Sequence, residues 1–241
     1  MGRDEVLGRV RAALERMALP VLPPLGGRPG EQAPLQLAAR FAAEARGVGT
    51  IVHEVATIAA AAEAMVAIAH TAVAAHRLVT WPTALARSVA AAAGVAVPDL
   101  EVTVLDCNTP PDVLAAADIG VTEADALVAE SGTLVLGSSA RHRGASLLPP
   151  VHVAVVTADR LVVNLAAALR LVRAGAAPAE SCVTLITGPS RTADIEKKLV
   201  VGVHGPCALH IILVGGVVRE ARELTSRADA HRNAKPSGGV M

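Results

Sequence analysis

Residues 50–105 read TIVHEVATIAAAAEAMVAIAHTAVAAHRLVTWPTALARSVAAAAGVAVPDLEVTVL and indicate the fold class. Three runs in this stretch are short and rich in β-branched residues, as strands are: residues 50–55, 77–80 and 101–105. Alanine-rich runs at 56–76 and 83–93 separate them and predict helices. Because strands that alternate with helices form parallel sheets, the sequence predicts an α/β fold with a mainly parallel sheet flanked by helices.

The same pattern continues to residue 214. Further strands are predicted at residues 126–128, 133–136, 151–156, 182–186 and 209–214, the last two completing the sheet. Further helices are predicted at 112–117 and 161–174, the second after a turn at 159–160. No linker divides the chain after Gly49, so one α/β domain is the simplest prediction.

Both ends of the chain differ from this pattern. Residues 5–17 predict an amphipathic helix, residues 20–34 a loop rich in Pro and Gly, and residues 35–46 a second helix. The predicted units are an N-terminal helical arm with its loop (1–48), the α/β domain (49–224) and a disordered polar tail (225–241). The sequence leaves open whether the arm packs on the domain or on a partner.

Composition excludes several classes of protein. The 22 basic and 22 acidic residues give a formal net charge of zero, which argues against nucleic-acid binding. Phe41 and Trp81 are the only aromatic residues of the Phe, Tyr and Trp types. The apolar run 58–75 contains Glu63 and His70, so we predict a buried or amphipathic helix rather than a membrane span. The first residues have no apolar export segment, and a cytoplasmic location is expected.

The three cysteines, Cys107, Cys182 and Cys207, have no ligand-like spacing. We therefore expect reduced thiols and no iron–sulfur cluster or other cofactor in this chain. A metal site is not predicted either, because His142, His152, Asp194, Glu196 and His204 lack the spacing of known motifs. Phosphate-loop and dinucleotide-binding glycine motifs are also absent from the sequence.

Polar residues are concentrated in ITGPSRTADIE at 186–196 and GVHGP at 202–206. Gly188 ends the preceding strand, and Ser190 and Thr192 are typical caps for a helix predicted at 193–200. The free backbone N–H groups of such a helix start suit a phosphate or carboxylate.

Arg191 carries a planar donor fork that suits the same anion. The alternative is a self-capped helix, in which Asp194 and Glu196 satisfy the positive helix end. The residues alone leave both interpretations open.

These stretches resemble the LUD-domain family, in its lactate-utilisation branch. The stretches that carry the resemblance are GPSRTADIE (188–196), GVHGP (202–206), GVTEADALVAESGTLVL (120–136) and LPPVHVAVV (148–156). The resemblance implies a fold of the NagB/RpiA/CoA-transferase-like type. It also implies a role in oxidising L-lactate to pyruvate beside two iron–sulfur-containing partner proteins, which would hold the redox centres. It identifies no established catalytic residue.

Relatives of that fold include enzymes that form an acyl anhydride on a glutamate in a Glu-x-Gly turn, and residues 130–132 resemble this pattern. Glu130 is therefore one candidate catalytic residue. His204 is the other, because the turn GVHGP constrains an imidazole that can donate or accept a proton. Polar turns next to strand ends are expected to converge at the carboxyl edge of the sheet. The candidate ligand-binding residues are Ser131, Gly132, Thr133, Gly188, Ser190, Arg191, Thr192, Asp194 and Gly205. The alternative is structural: a tight turn at Gly132 and a histidine that bonds its own loop.

Three functions remain open at this stage. The first is a subunit of a lactate-oxidising system that binds a small anion or assembles iron–sulfur partner subunits. The second is an acyl-transfer or sugar-phosphate enzyme that uses Glu130. The third is a non-catalytic interaction subunit, in which the polar turns serve packing.

Overall fold

The computed structural model describes residues 2, 4–5, 7–9, 12, 34–72, 75–106, 108–137, 143–175, 182–192, 200–202 and 204–215. The strands are β1 Ile51–Val55, β2 Arg77–Thr80, β3 Glu101–Val104, β4 Ile119–Glu123, β5 Ala126–Val128, β6 Thr133–Gly137, β7 Val151–Thr157, β8 Leu161–Val162, β9 Val183–Ile186, β10 Arg191–Thr192, β11 Val200–Val201 and β12 Ala208–Val214. The helices are α1 Pro34–Gly47, α2 Ile58–Thr71, α3 Ala84–Ala96, α4 Pro111–Ala115 and α5 Leu165–Gly175. Short 3-10 turns lie at Arg143–Ser146 and Ala158–Arg160.

The main sheet has six parallel strands in the order β1-β12-β7-β4-β2-β3. Two of its interior strands, β7 and β12, are almost continuous apolar runs because helices or other segments cover both faces of a parallel sheet. Val155 and Ile212 are fully buried neighbours in this register. The predicted α/β fold with a mainly parallel sheet flanked by helices is confirmed.

Helices α2 and α3 pack against each other and use small side chains to do so. Ala61 and Ala69 of α2, and Ala90 and Ala93 of α3, are buried. Helix α2 begins after Thr57, whose Oγ1 accepts a hydrogen bond of 3.1 Å from the Ala60 N–H. In the described part of the chain, no helix is both long and apolar enough to span a bilayer.

Helix α1 belongs to the same core. Phe41 and Ala45 are fully buried, and α1 contacts β1 and β8. The second helix of the predicted arm thus packs on the domain. Of the predicted first helix, residues 4–5, 7–9 and 12 are helical. The remainder of that helix, and the predicted tail at 225–241, lie outside the described residues.

A second sheet of four strands, in the order β8-β5-β6-β9, corrects one prediction. Strand β9 pairs antiparallel with β6 and does not complete the main sheet. Strands β5 and β6 also pair antiparallel, around residues 129–132. So short a connection excludes a parallel pair, which needs a crossover of about a dozen residues or more. Gly132 has φ of +64°, and a Cβ at this position would overlap the backbone of Ala45.

Strand β4 was not among the predicted strands. Gly120 and Thr122 interrupt its apolar pattern, yet four of its five residues, Ile119, Gly120, Val121 and Thr122, are buried. A Cβ at Gly120 would overlap the carbonyl oxygen of Ala145, so the 3-10 turn after residue 142 lies directly against the strand. The glycine is therefore required by close packing, which a periodicity argument does not detect.

The predicted helix at 161–174 begins later than expected, at Leu165. Residues 161–162 instead form β8 and pair with β5. The Asn164 Oδ1 accepts a 2.9 Å hydrogen bond from the Ala167 N–H and so caps α5. The pairing with β5 therefore sets the start of this helix.

Candidate functional site

A cavity of about 260 Å³ lies between the main sheet and strand β9. We call it the inter-sheet cavity, and it is lined by Ser146, Leu147, His152, residues 184–190, residues 204–206 and Leu209. His152 and Leu209 are each the second residue of their strands, β7 and β12. The cavity therefore lies at the amino edge of the main sheet, whereas the sequence analysis expected a site at the carboxyl edge. The position follows from the order of the chain, because residues 204–206 lead directly into β12.

Backbone hydrogen bonds hold the two predicted polar turns together in this cavity. The Ser190 N–H donates to the Pro206 carbonyl at 2.9 Å, and the Ser190 carbonyl accepts from the Gly202 N–H at 2.8 Å. A Cβ placed on Gly205 would lie 3.1 Å from the Ser190 Cβ, so the turns are in close contact. Gly188, Ser190, His204 and Gly205 thus line one cavity, as four of the predicted site residues.

The predicted turn at residues 130–133 is linked to the cavity by side-chain hydroxyls. Ser131 Oγ lies 2.8 Å from Thr133 Oγ1, which lies 2.7 Å from Thr187 Oγ1. Thr187 is a lining residue, so Ser131 and Thr133 are connected to the cavity through it without lining it. Gly132 also does not line the cavity and packs against the backbone of Ala45.

Glu130 and Arg191 lie outside the inter-sheet cavity. The exposed Glu130 accepts a 3.2 Å hydrogen bond at Oε1 from the Leu165 N–H, at the start of α5. The Arg191 Nη2 donates to the Val48 carbonyl at 2.5 Å. Glu130 and Arg191 therefore do not line this cavity with His204, because the backbone groups of Leu165 and Val48 bind their side chains.

The structure describes one of the next two predicted residues, Thr192, and not the other, Asp194. Thr192 is in β10, which pairs with Val200 and Val201 of β11, so the chain is extended where a helix start was expected. Asp194 and residues 193–199 lie outside the described residues. The helix predicted at 193–200 is wrong at its last residue, Val200, because that residue is in a strand.

Arg191→Ala is expected to lower the free energy of unfolding by about 1 kcal/mol, because the contact with the Val48 carbonyl is lost. Urea unfolding measures the change. Arg87→Ala, at an exposed position of α3, is the control with the same side-chain loss. Unchanged stability combined with lost anion binding would contradict this structural role and favour a ligand role.

His152 is the main feature that the sequence analysis missed. Only 1% of its surface is exposed, and its Nε2 lies 2.9 Å from the Thr122 Oγ1. Its Nδ1 is buried without a partner among the described residues. Burial lowers the pKa of His152 from 6.5 to about 3, so the imidazole is neutral. The available sequence signal was a histidine inside an apolar strand, HVAVV, where polar residues are uncommon.

A second cavity, of about 670 Å³, lies at the carboxyl edge of the main sheet. Thr83, Glu123, Asp125 and Arg160 are among its lining residues. None of the predicted site residues that the structure describes lines it. Within the described ranges, no cluster of three or more His, Cys, Asp and Glu side chains suits a metal ion. The inter-sheet cavity is therefore the candidate site, since it combines predicted polar turns with a buried, unpartnered imidazole.

The fold and the cavity define an α/β protein with a parallel main sheet, a mixed second sheet and a mainly apolar cavity between them. The model of the LUD domain matches residues 38–214, which include every residue that lines this cavity. The chain belongs to the LUD domain family.

Several curated relatives are named Lactate utilization protein C. The chain is 45% identical over 101 residues to the protein of Shouchella clausii and 46% identical over 102 residues to that of Halalkalibacterium halodurans. It is 44% identical over 102 residues to the protein of Bacillus subtilis. These matches cover 41% of this chain and 42–44% of the relatives, so the chain spans less than half the length of the proteins it matches.

A solved structure supports the fold. A DUF162 family protein from Deinococcus radiodurans superposes with a TM-score of 0.57 over 76% of this chain and 99% of that chain. Its sequence is 24% identical, so the similarity concerns the fold alone.

Proposed function

We propose that this chain is a subunit of a system that oxidises L-lactate to pyruvate, and that partner subunits carry the iron–sulfur clusters. The observation that carries the proposal is the 44–46% identity to proteins named Lactate utilization protein C. The chain's own cysteines support the division of roles, because Cys107, Cys182 and Cys207 have no cluster-like spacing.

The inter-sheet cavity is the proposed binding site for a small carboxylate. Ser190 and His204 supply polar side chains to it, and Gly188 and Gly205 allow Val48 and Ser190 to pack closely against the two turns. No Lys or Arg side chain is among the residues that line it in the described ranges. Hydrogen bonds to hydroxyl, imidazole and backbone groups, rather than a salt bridge, would therefore hold the carboxylate.

The catalytic roles predicted for Glu130 and His204 differ in their structural support. His204 lines the cavity and is exposed, so its imidazole can contact a ligand directly. Glu130 caps α5 outside the cavity, and this geometry favours a structural role over acyl transfer. We therefore place the ligand near His204 and leave the proposed redox chemistry to the partner subunits.

Lactate-dependent reduction of a dye by the chain combined with its iron–sulfur partner subunits tests the proposal. Ser190→Ala is expected to reduce the rate at low lactate about fivefold to tenfold, because one hydrogen bond to the carboxylate is lost. Ser88→Ala, which removes an exposed hydroxyl from α3, is the matched control and is expected to leave the rate unchanged. A full rate without the chain would refute its role in lactate oxidation.

A further inference from the structure

His152 is the most buried of the polar residues that line the inter-sheet cavity. Its Nδ1 is buried, lies in a residue that lines the cavity, and has no partner among the described residues. A buried polar atom without a partner is costly in a folded protein, so its retention needs an explanation. A ligand that supplies the missing partner is such an explanation.

The hydrogen bond to Thr122 determines which ring nitrogen carries the proton. Thr122 is fully buried, and within the described part of the chain its hydroxyl bonds only to the His152 Nε2. Because the described residues offer this hydroxyl no other acceptor, its proton is satisfied only when it is donated to the Nε2 lone pair. In that arrangement the ring proton of the neutral imidazole is on Nδ1. A lining residue of the cavity consequently carries a buried N–H donor without a partner among the described residues.

The remaining walls restrict the size and polarity of the ligand. Leu147, Leu185, Ile186 and Leu209 are apolar, and the polar Ser190 and His204 also line the cavity. The volume of about 260 Å³ lies just below the usual range for drug-sized ligands. A ligand that fits is small and has an acceptor oxygen at one end, a short apolar part, and a group that accepts hydrogen bonds at the other end.

We propose that the Nδ1–H of His152 donates a hydrogen bond to the oxygen on carbon 2 of a short 2-oxo or 2-hydroxy monocarboxylate. The choice of ligand class rests on the proposed function, because pyruvate and L-lactate both carry that oxygen. His152 is then a residue that determines specificity, and Thr122 is a positioning residue that fixes the proton on Nδ1.

The carboxylate of such a ligand points away from His152. A neutral imidazole cannot balance a buried negative charge, and the described lining residues include no Lys or Arg. The Ser190 hydroxyl and the exposed His204 imidazole offer hydrogen bonds where water also reaches. The ligand is therefore oriented with its carbon-2 oxygen inward and its carboxylate outward.

Calorimetric titration of the full chain with pyruvate and with propionate tests the proposal, since propionate lacks only the carbon-2 oxygen. We expect pyruvate to bind about tenfold more tightly, and L-lactate to share this advantage. The double variant His152→Leu with Thr122→Val removes both hydrogen-bonding partners together, so no buried hydroxyl is left unpaired. This variant is expected to bind pyruvate and propionate equally.

His210→Leu is the matched control. His210 follows Leu209 on β12, so its side chain points to the opposite face of the sheet, where it stacks on His53. The preference for pyruvate is expected to survive this change.

If the double variant does not fold, Thr122→Val alone serves instead. Nitrogen-15 NMR is expected to show the ring proton on Nδ1 in the wild type and on a mixture of both nitrogens in Thr122→Val.

Four results would overturn the proposal. They are equal affinities of the wild type for pyruvate and propionate, loss of the preference in His210→Leu, a ring proton found on Nε2 in the wild type, and a pyruvate complex in which only water meets Nδ1.

Dye reduction by the assembled system distinguishes a failure of the His152 proposal from a failure of the proposed function. A chain that binds pyruvate through His152 but is dispensable for lactate oxidation would refute only the lactate role. A chain that is required but shows no preference would refute only the role of His152.

Discussion

Gly120→Ala is expected to lower the free energy of unfolding by at least about 3 kcal/mol, because the added methyl group overlaps the Ala145 carbonyl oxygen. Backbone atoms on both sides must then move, and neither can turn aside as a flexible side chain does. The main sheet and the 3-10 turn next to it would separate along β4. Urea unfolding followed by far-UV circular dichroism measures the change.

Gly47→Ala is the control for that prediction. Gly47 is the last residue of α1, and a Cβ there meets nothing within 4 Å. The free energy of unfolding of the Gly47→Ala variant is expected to stay within about 0.5 kcal/mol of the wild-type value or to rise slightly. Equal stabilities of the two variants would mean that the strand and the turn are not packed as closely as described.

Acidification is expected to destabilise the protein well before its carboxylates are protonated. The unfolded imidazole of His152 binds a proton near pH 6.5, whereas burial lowers its folded-state pKa to about 3. The contribution of His152 to the free energy of unfolding is therefore fully present above pH 6.5. It is lost as the pH decreases towards 3, because only the unfolded state gains the proton. By pH 5 the loss from His152 alone is about 2 kcal/mol.

His210 acts in the same direction. Burial, and secondarily the neighbouring His53, lower the pKa of His210 to about 4. Denaturant unfolding at a series of pH values measures the combined slope. The double variant His152→Leu with Thr122→Val is expected to have a shallower slope than the wild type between pH 6.5 and 5. An unchanged slope in the double variant would contradict a buried, neutral His152.

The alternation of apolar runs sufficed to predict the fold class, because helical and strand periods differ and alternate from residue 50 onward. It did not assign strands to sheets. Strand β9 is as apolar as β12, and the two differ in the strands with which they pair, since β9 pairs with β6 and β12 pairs with β7. The short connection at 129–132 was the one local indication of an antiparallel pair, and it was not used for that purpose.

The sequence grouped polar turns that do lie together, because Gly188, Ser190, His204 and Gly205 line one cavity. Their role in binding a ligand stays a prediction. Arg191 was expected to face an anion, but a nearby carbonyl of the α1–β1 turn is its partner. His152 was overlooked because its importance depends on an unpaired atom and a neighbouring hydroxyl, which a linear pattern does not show.

The burial of α1 bears on how the protein should be shortened for laboratory work. The family match begins at residue 38, inside this helix, and Phe41 fills part of the core. A fragment that starts at Gly49 would leave a void where an aromatic ring had been, and such losses cost about 3–5 kcal/mol. Expression fragments should therefore start at Pro34 or earlier, so that the whole helix is retained.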